Sequence, residues 1–161
     1  MLRKGKTSDI KRLCEIEKLA TDIYYQAGFT KEEASPRTEE NLLELIKDAI
    51  VIVYEENNSI LGYAAWRKYS EYSHLEEISV DPRHHKKGIG SSLVKHNPFL
   101  SESKIVSLIC YSNAPWAYNL YKKLGFEETT KLPMELQDIW QEEVYRGLNM
   151  SNRICMINYI I

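Results

Sequence analysis

The stretch RHHKKGIGSSLV, residues 83–94, sets five basic or imidazole side chains against two glycines in G-x-G spacing, then turns apolar at helical spacing. It follows HLEEISV, residues 74–80, which reads as a strand stopped by Asp81-Pro82. A strand, a short basic loop and a helix starting near Gly88 or Gly90 together present unpaired backbone N–H groups and the positive end of a helix. That is the chemistry of a phosphate site. The glycines let the backbone approach the anion, and Lys86 and Lys87 add positive charge. A tight strand-to-helix turn with solvated lysines is the plainer reading of the same residues. A P-loop would need G-x-x-x-x-G-K-S/T and a dinucleotide fingerprint a third glycine; Ser91-Ser92-Leu93 stands there instead. The loop suits a pyrophosphate outside an ordinary nucleoside triphosphate.

Elements on both sides must position this loop. TSDIKRLCEIEKLA opens with capping residues and places Ile10, Leu13, Ile16 or Glu17, and Ala20 at helical spacing, which predicts a helix from near Ser8. A strand at Leu2 to Lys4 can precede it. QAGFTKEEASPR reads as an exposed connection, and TEENLLELIKDA as a second helix with Leu42, Leu43, Ile46 and Ala49 on one face. IVIVYEENNSILGYAAWRK then reads as a hairpin turning at Glu56-Asn57-Asn58-Ser59. Beyond the glycines, Ile89, Leu93 and Val94 face a helix that Pro98 must cut short or kink. KIVSLICY is a further strand, and APWAYNLYKKL a helix with Pro115 in its first turn and Gly125 placed as a left-handed cap. FEE can start another strand. RICMINYI, after a polar, helical-looking stretch from Pro133 to Gly147, is the last strand. This order predicts an α/β fold, a mixed central β-sheet flanked by helices, in one domain over 1–161.

Composition excludes several function classes. With 161 residues, 43% of them hydrophobic, the chain can bury one substantial core. A net charge of −2 speaks against a nucleic-acid binder, whose affinity rests on basic excess. Cys14, Cys110 and Cys155 lack C-x-x-C spacing, so neither a disulfide framework nor a metal site is expected. The start carries charges without an apolar core, and ICMINYII is far shorter than the ~20 residues that span a bilayer. The expectation is a cytoplasmic, soluble protein, monomer or homodimer, with no nucleic-acid or membrane partner.

ISVDPRHHKKGIGSSLV resembles the acetyl-CoA-binding segment of the GCN5-related N-acetyltransferases (GNAT), whose pattern is Q/R-x-x-G-x-G/A after a strand ending in V-x-P. NLYKKLGFEE resembles the later helix of the same superfamily, A-x-x-L/F-Y-x-x-x-G-F, in the same order and spacing. HLEEISVDP, LYKKLGF and RICM together look like a subgroup without an assigned substrate. His85 stands where the family has Gln or Arg, and the segment from Asn113 to Tyr121 is one residue longer than its commonest spacing.

The resemblance implies a GNAT-like fold, acetyl-CoA as cofactor, and transfer of an acetyl group to a primary amine of a small molecule or peptide by direct attack in a ternary complex. It implies cofactor contacts at Ile78, Ser79, Val80, His85, Lys86, Lys87, Gly88, Ile89, Gly90, Ser91, Asn113 and Tyr121. An amine of pKa near ~10 is roughly 0.1% neutral at pH 7, so a base must supply the nucleophile. Glu76 and Glu77 lie on the strand leading to the loop, and strict alternation lets only one of them face the acceptor. His74 shares the parity of Glu76, and that pair fits a water-bridged base; Glu77 is the alternative. Tyr121, before K-K-L-G-F, is the expected acid for the leaving thiolate, and the Val80 N–H the donor to the thioester oxygen. A non-catalytic acyl-CoA-binding module is the competing reading. The acceptor is expected to face segments 21–40 and 129–147, both acidic in part.

Overall fold

The computed structural model describes residues 1–132 and 134–159. Seven strands form one sheet in the order β1-β2-β3-β4-β5-β7-β6. They are β1 (Leu2–Lys4), β2 (Ile50–Glu56), β3 (Ser59–Lys68), β4 (Tyr72–Val80), β5 (Ile105–Tyr111), β6 (Glu127–Thr129) and β7 (Arg153–Tyr159). The helices are α1 (Ile10–Gln26), α2 (Glu39–Asp48), α3 (Ile89–Lys95), α4 (Pro115–Lys123) and α5 (Met134–Tyr145). All pairings are antiparallel except β4 with β5, so the sheet is mixed and flanked by helices, as expected. Pro133, which opens the expected helical stretch, and Ile160, which closes the expected last strand, lie outside the described residues.

Local chemistry accounts for most of the boundaries. A 3-10 turn at Thr7–Asp9 leads into α1, whose buried Ile10, Leu13, Ile16 and Glu17 make its inward stripe. Thr38 caps α2: its hydroxyl accepts from Asn41 N–H at 3.2 Å, while Thr38 N–H donates to Asn41 Oδ1 at 3.3 Å. The inward face of α2 includes Leu45, 2% exposed, besides the residues read from periodicity. Asn57 and Asn58 both take positive φ, 50° and 60°, the two-residue turn that matches hairpin twist. Gly125, at φ 90°, ends α4 in the left-handed conformation. The α3 helix stops at Lys95, short of Pro98.

The core has two faces. On one, Val51, Val53, Tyr63 and Ala65 pack against α1 and α2; on the other, Ala64, Trp66, Leu75, Val106 and Leu108 pack against Leu93 and Tyr121 from α3 and α4. Asp81, fully buried, ties α1 to the end of β4: its carboxylate accepts from Arg12 at 2.8 Å and from Arg83 at 2.6 Å. No helix among the described residues is long and apolar enough to cross a membrane.

Two sheet irregularities make the site. β4 and β5 pair only from Tyr72↔Ile105 to Leu75↔Leu108, and beyond Leu75 the strands separate. Against β3, Ala65 faces Glu77 and Trp66 faces Leu75, so Glu76 is an extra residue in a β-bulge.

Candidate active site

A cleft of about 1150 Å3 occupies the gap left where β4 and β5 part. One half is walled by β4, the loop after it, α3 and α4; the other by α1, residues 32–37 and the end of α5. Of the residues expected from the sequence, Glu76, Glu77, Ile78, Ser79, Val80, His85, Lys86, Gly88, Ile89, Gly90, Ser91 and Tyr121 line the cleft. The expected acceptor segments also reach it, through Glu32, Glu33 and Arg37 on one side and Glu143 and Arg146 on the other.

The loop between β4 and α3 turns sharply at the cleft. Lys86 and Gly88 take φ of 63° and 78°, which turns the chain so that α3 starts at the cleft. None of the N–H groups of residues 86–91 donates to another backbone group among the described residues, whereas Ser92 N–H closes the first helical bond to Gly88 O at 2.9 Å. An added Cβ at Gly90 would sit 3.1 Å from Leu120 Cδ2, so this glycine lets α3 approach α4.

The edge of β4 that faces the gap follows from the hydrogen bonds on its other edge. Asp81 N–H donates to Leu61 O at 2.8 Å, and alternation places the amides of Ile78 and Val80 on the opposite edge, toward the cleft. Two side chains engage this edge. Ile78 N–H donates to Glu77 Oε1 at 3.1 Å, and His85 Nε2 lies 3.3 Å from Val80 O.

The bulge corrects the expectation that only one of Glu76 and Glu77 can face the acceptor. Both line the cleft, and both meet one guanidinium: Arg37 Nε donates to Glu77 Oε2 at 2.9 Å, and Arg37 Nη2 lies 3.9 Å from Glu76 Oε1. Glu76 is further bound by Arg67 from β3. Burial raises the Glu77 pKa to about 7, helped by the charge of Glu17 and opposed by Arg37. Its side chain keeps 27% exposure, which opens on the cleft.

His74 is a second correction. It lies outside the cleft lining, 4% exposed, with Nδ1 2.9 Å from Ser107 Oγ. Burial, with the charges of Arg67 and Arg153, lowers its pKa to about 4. A neutral ring buried against Ser107 inside the sheet, off the cleft, is not placed to share a water with Glu76. Lys87 and Asn113 also lie off the cleft: Lys87 Nζ is 3.2 Å from His84 Nδ1, and Asn113 is exposed, while Asn119 of α4 lines the wall instead.

Tyr121 is 5% exposed, packed edge-on against Phe126 with ring centroids 6.0 Å apart, and lines the cleft. Burial pushes its phenol well above the ordinary value, so it holds its proton at neutral pH. Tyr24 and Trp116, with centroids 4.9 Å apart, add an aromatic wall, and burial raises Tyr24 to about 12. Arg153 stacks 4.4 Å over Tyr111 and pairs with Glu143 at 2.6 Å. Reading the sequence missed Arg37 and Glu17. Arg37 sits in a segment read as exposed, although Phe29 there is 8% exposed. Glu17 had a signal: a carboxylate on the apolar stripe of α1.

Comparison with known proteins agrees with this fold. Residues 47–128 match the family model described as "Acetyltransferase (GNAT) domain". No curated protein matches the sequence. The fold is similar to PaiA N-acetyltransferase from Thermoplasma acidophilum, solved in complex with coenzyme A (TM-score 0.76, 15% identity, covering 99% of this chain and 98% of that one). It is similar also to Ard1 from Thermoplasma volcanium (0.70, 23%, covering 100% and 97%). A third is YncA, a putative acetyltransferase from Salmonella typhimurium solved with acetyl-CoA (0.67, 17%, covering 100% and 94%). The match spans half of the sequence and takes in the bulged strand, the anion loop and the helix of Tyr121: the chain belongs to the GNAT acetyltransferase family.

Proposed function

We propose that this protein is an acetyl-CoA-dependent N-acetyltransferase that acetylates a primary amine, with Glu77 as general base and Tyr121 as general acid. The observation that carries the reading is the placement of Glu77, a carboxylate poised near neutrality, in the same cleft as Tyr121 and the unpaired amides of residues 86–91.

The residues present fit the cofactor. The N–H groups of 86–91 and the left-handed Gly88 would hold its pyrophosphate, and the β4 edge at Ile78 and Val80 would take its pantetheine arm in the manner of an added strand. Acetyl-CoA supplies an acetyl thioester, a carbonyl already activated for transfer to nitrogen.

The chain itself handles the protons. Glu77 Oε2, once freed from Arg37 Nε, takes a proton from the ammonium of the acceptor, and a pKa near 7 makes it ionised often enough to do so. Val80 N–H, on the open edge, donates to the oxygen that gains charge when the carbon–nitrogen bond forms. As the carbon–sulfur bond broke, Tyr121 Oη would give its proton to the departing sulfur, whose simple-thiol pKa is about 8.5, and would regain one from the nitrogen, which sheds its second proton as the amide forms. Glu76, held by Arg67 and Arg37, keeps the guanidinium at the cleft wall. Carboxylates at Glu32 and Glu33 suit an acceptor that arrives as a cation.

The test is incubation of purified protein with acetyl-CoA and a panel of small amines and peptides, with free CoA and acetylated product measured together. Equal amounts of both from one class of amine support the reading. Cofactor binding without release of CoA by any amine would leave an acyl-CoA-binding module.

A further inference from the structure

Glu17 is the most deeply placed carboxylate of the cleft, 4% exposed and on the inward stripe of α1. It accepts from Tyr63 Oη at 2.7 Å, from Ser79 Oγ at 2.6 Å and from Arg37 N–H at 2.9 Å. All three donors are neutral, and no lysine or arginine pairs with it among the described residues. Donors on both oxygens, without a cation, suit an ionised carboxylate whose charge is not cancelled locally. We propose that Glu17 is a positioning residue whose buried negative charge, set against the opposing charge of Arg37, keeps Glu77 able to accept and return a proton at neutral pH.

The geometry has two parts. Glu17 holds the backbone N–H of Arg37, and the side chain of the same Arg37 reaches Glu77 at 2.9 Å. One residue thus links the two carboxylates, with its amide on one and its guanidinium on the other. Other groups also face Glu77: Tyr24 from α1, Tyr63 from β3, Glu76 from its own strand and Tyr121 from α4. The three phenols are neutral at physiological pH, and Glu76 is paired with Arg67. That leaves Glu17 and Arg37 as the two charges that act on Glu77 in opposite senses. Glu17 disfavours the ionised Glu77 and Arg37 favours it, so removing either charge must move Glu77 in opposite directions.

This inference rests on Glu77 as general base, and the pH dependence of kcat/KM separates the two claims. Wild type is expected to lose activity toward acid with a midpoint near 7. Glu17→Gln should move that midpoint down by roughly one pH unit, and Arg37→Gln should move it up. A purely structural Glu17 would lower the melting temperature and leave the midpoint in place. An unmoved or raised midpoint in Glu17→Gln overturns the proposal; if that variant does not fold, an unmoved or lowered midpoint in Arg37→Gln does so. If Glu77→Gln keeps the wild-type acid limb, the base assignment itself has failed.

Discussion

Glu77 Oε2 accepts a hydrogen bond from Arg37 Nε at 2.9 Å, so a guanidinium sits on the carboxylate proposed as the general base. The pair joins the bulged strand to the connection between α1 and α2. Without the bulge, Glu76 and Glu77 would point to opposite faces of the sheet and Arg37 could meet only one of them.

Glu77→Gln should lower kcat on the order of 10² to 10⁴-fold, the range for loss of a general base, with little change in affinity for CoA. Glu76→Gln should cost far less, because Glu76 is held by Arg67 and Arg37 and its loss leaves Glu77 in place. Steady-state kinetics with binding calorimetry on both variants check the contrast.

Tyr121→Phe keeps the ring against Phe126 and removes the hydroxyl. The expected result is a fall in kcat on the order of 10² to 10⁴-fold with an unchanged melting temperature and unchanged CoA affinity. Full turnover on an acceptor for which chemistry limits the rate would remove Tyr121 from the mechanism.

The two glycines of the anion loop should fail differently. Gly88→Ala forces a Cβ into the left-handed region at φ 78°, a cost of about 1–2 kcal/mol, and should lower both stability and CoA affinity. Gly90→Val meets Leu120 across the gap between α3 and α4 and should abolish CoA binding by shifting α3. Calorimetry on the folded variants reads both.

His74 predicts an acid-sensitive term in stability. Its folded pKa, about 4, lies below the unfolded value of 6.5, so the unfolded chain takes up the proton first. The stabilisation is complete above pH 6.5 and is lost as pH falls through 4, about 3 kcal/mol in all. Glu77, raised by burial, works in the opposite sense, gaining stability as pH falls through 7. Urea unfolding of wild type and His74→Asn at pH 7 and pH 4 isolates the His74 part as their difference.

Turns and helix limits were legible because single residues decide them: Asn57-Asn58 for the hairpin, Gly125 for the end of α4, Pro98 for the short α3. The anion loop was legible for the same reason, since Gly88 is required by a left-handed φ. The bulge at Glu76 was not. It arises from how β4 registers against β3, and nothing between Leu75 and Glu77 marks an extra residue. That unseen irregularity is why both carboxylates line the cleft, and the burial of His74 against Ser107 of β5 was equally unmarked in the sequence. Arg37 was hidden because its burial is made by elements distant in sequence, Glu17 on α1 and Glu77 on β4.

The most direct measurement is the pH dependence of kcat/KM for CoA release by wild type and Glu77→Gln with the same amine acceptor. The account predicts a wild-type acid limb with a midpoint near 7 that disappears in Glu77→Gln, together with most of the rate. Equal rates and the same acid limb in both enzymes would contradict it.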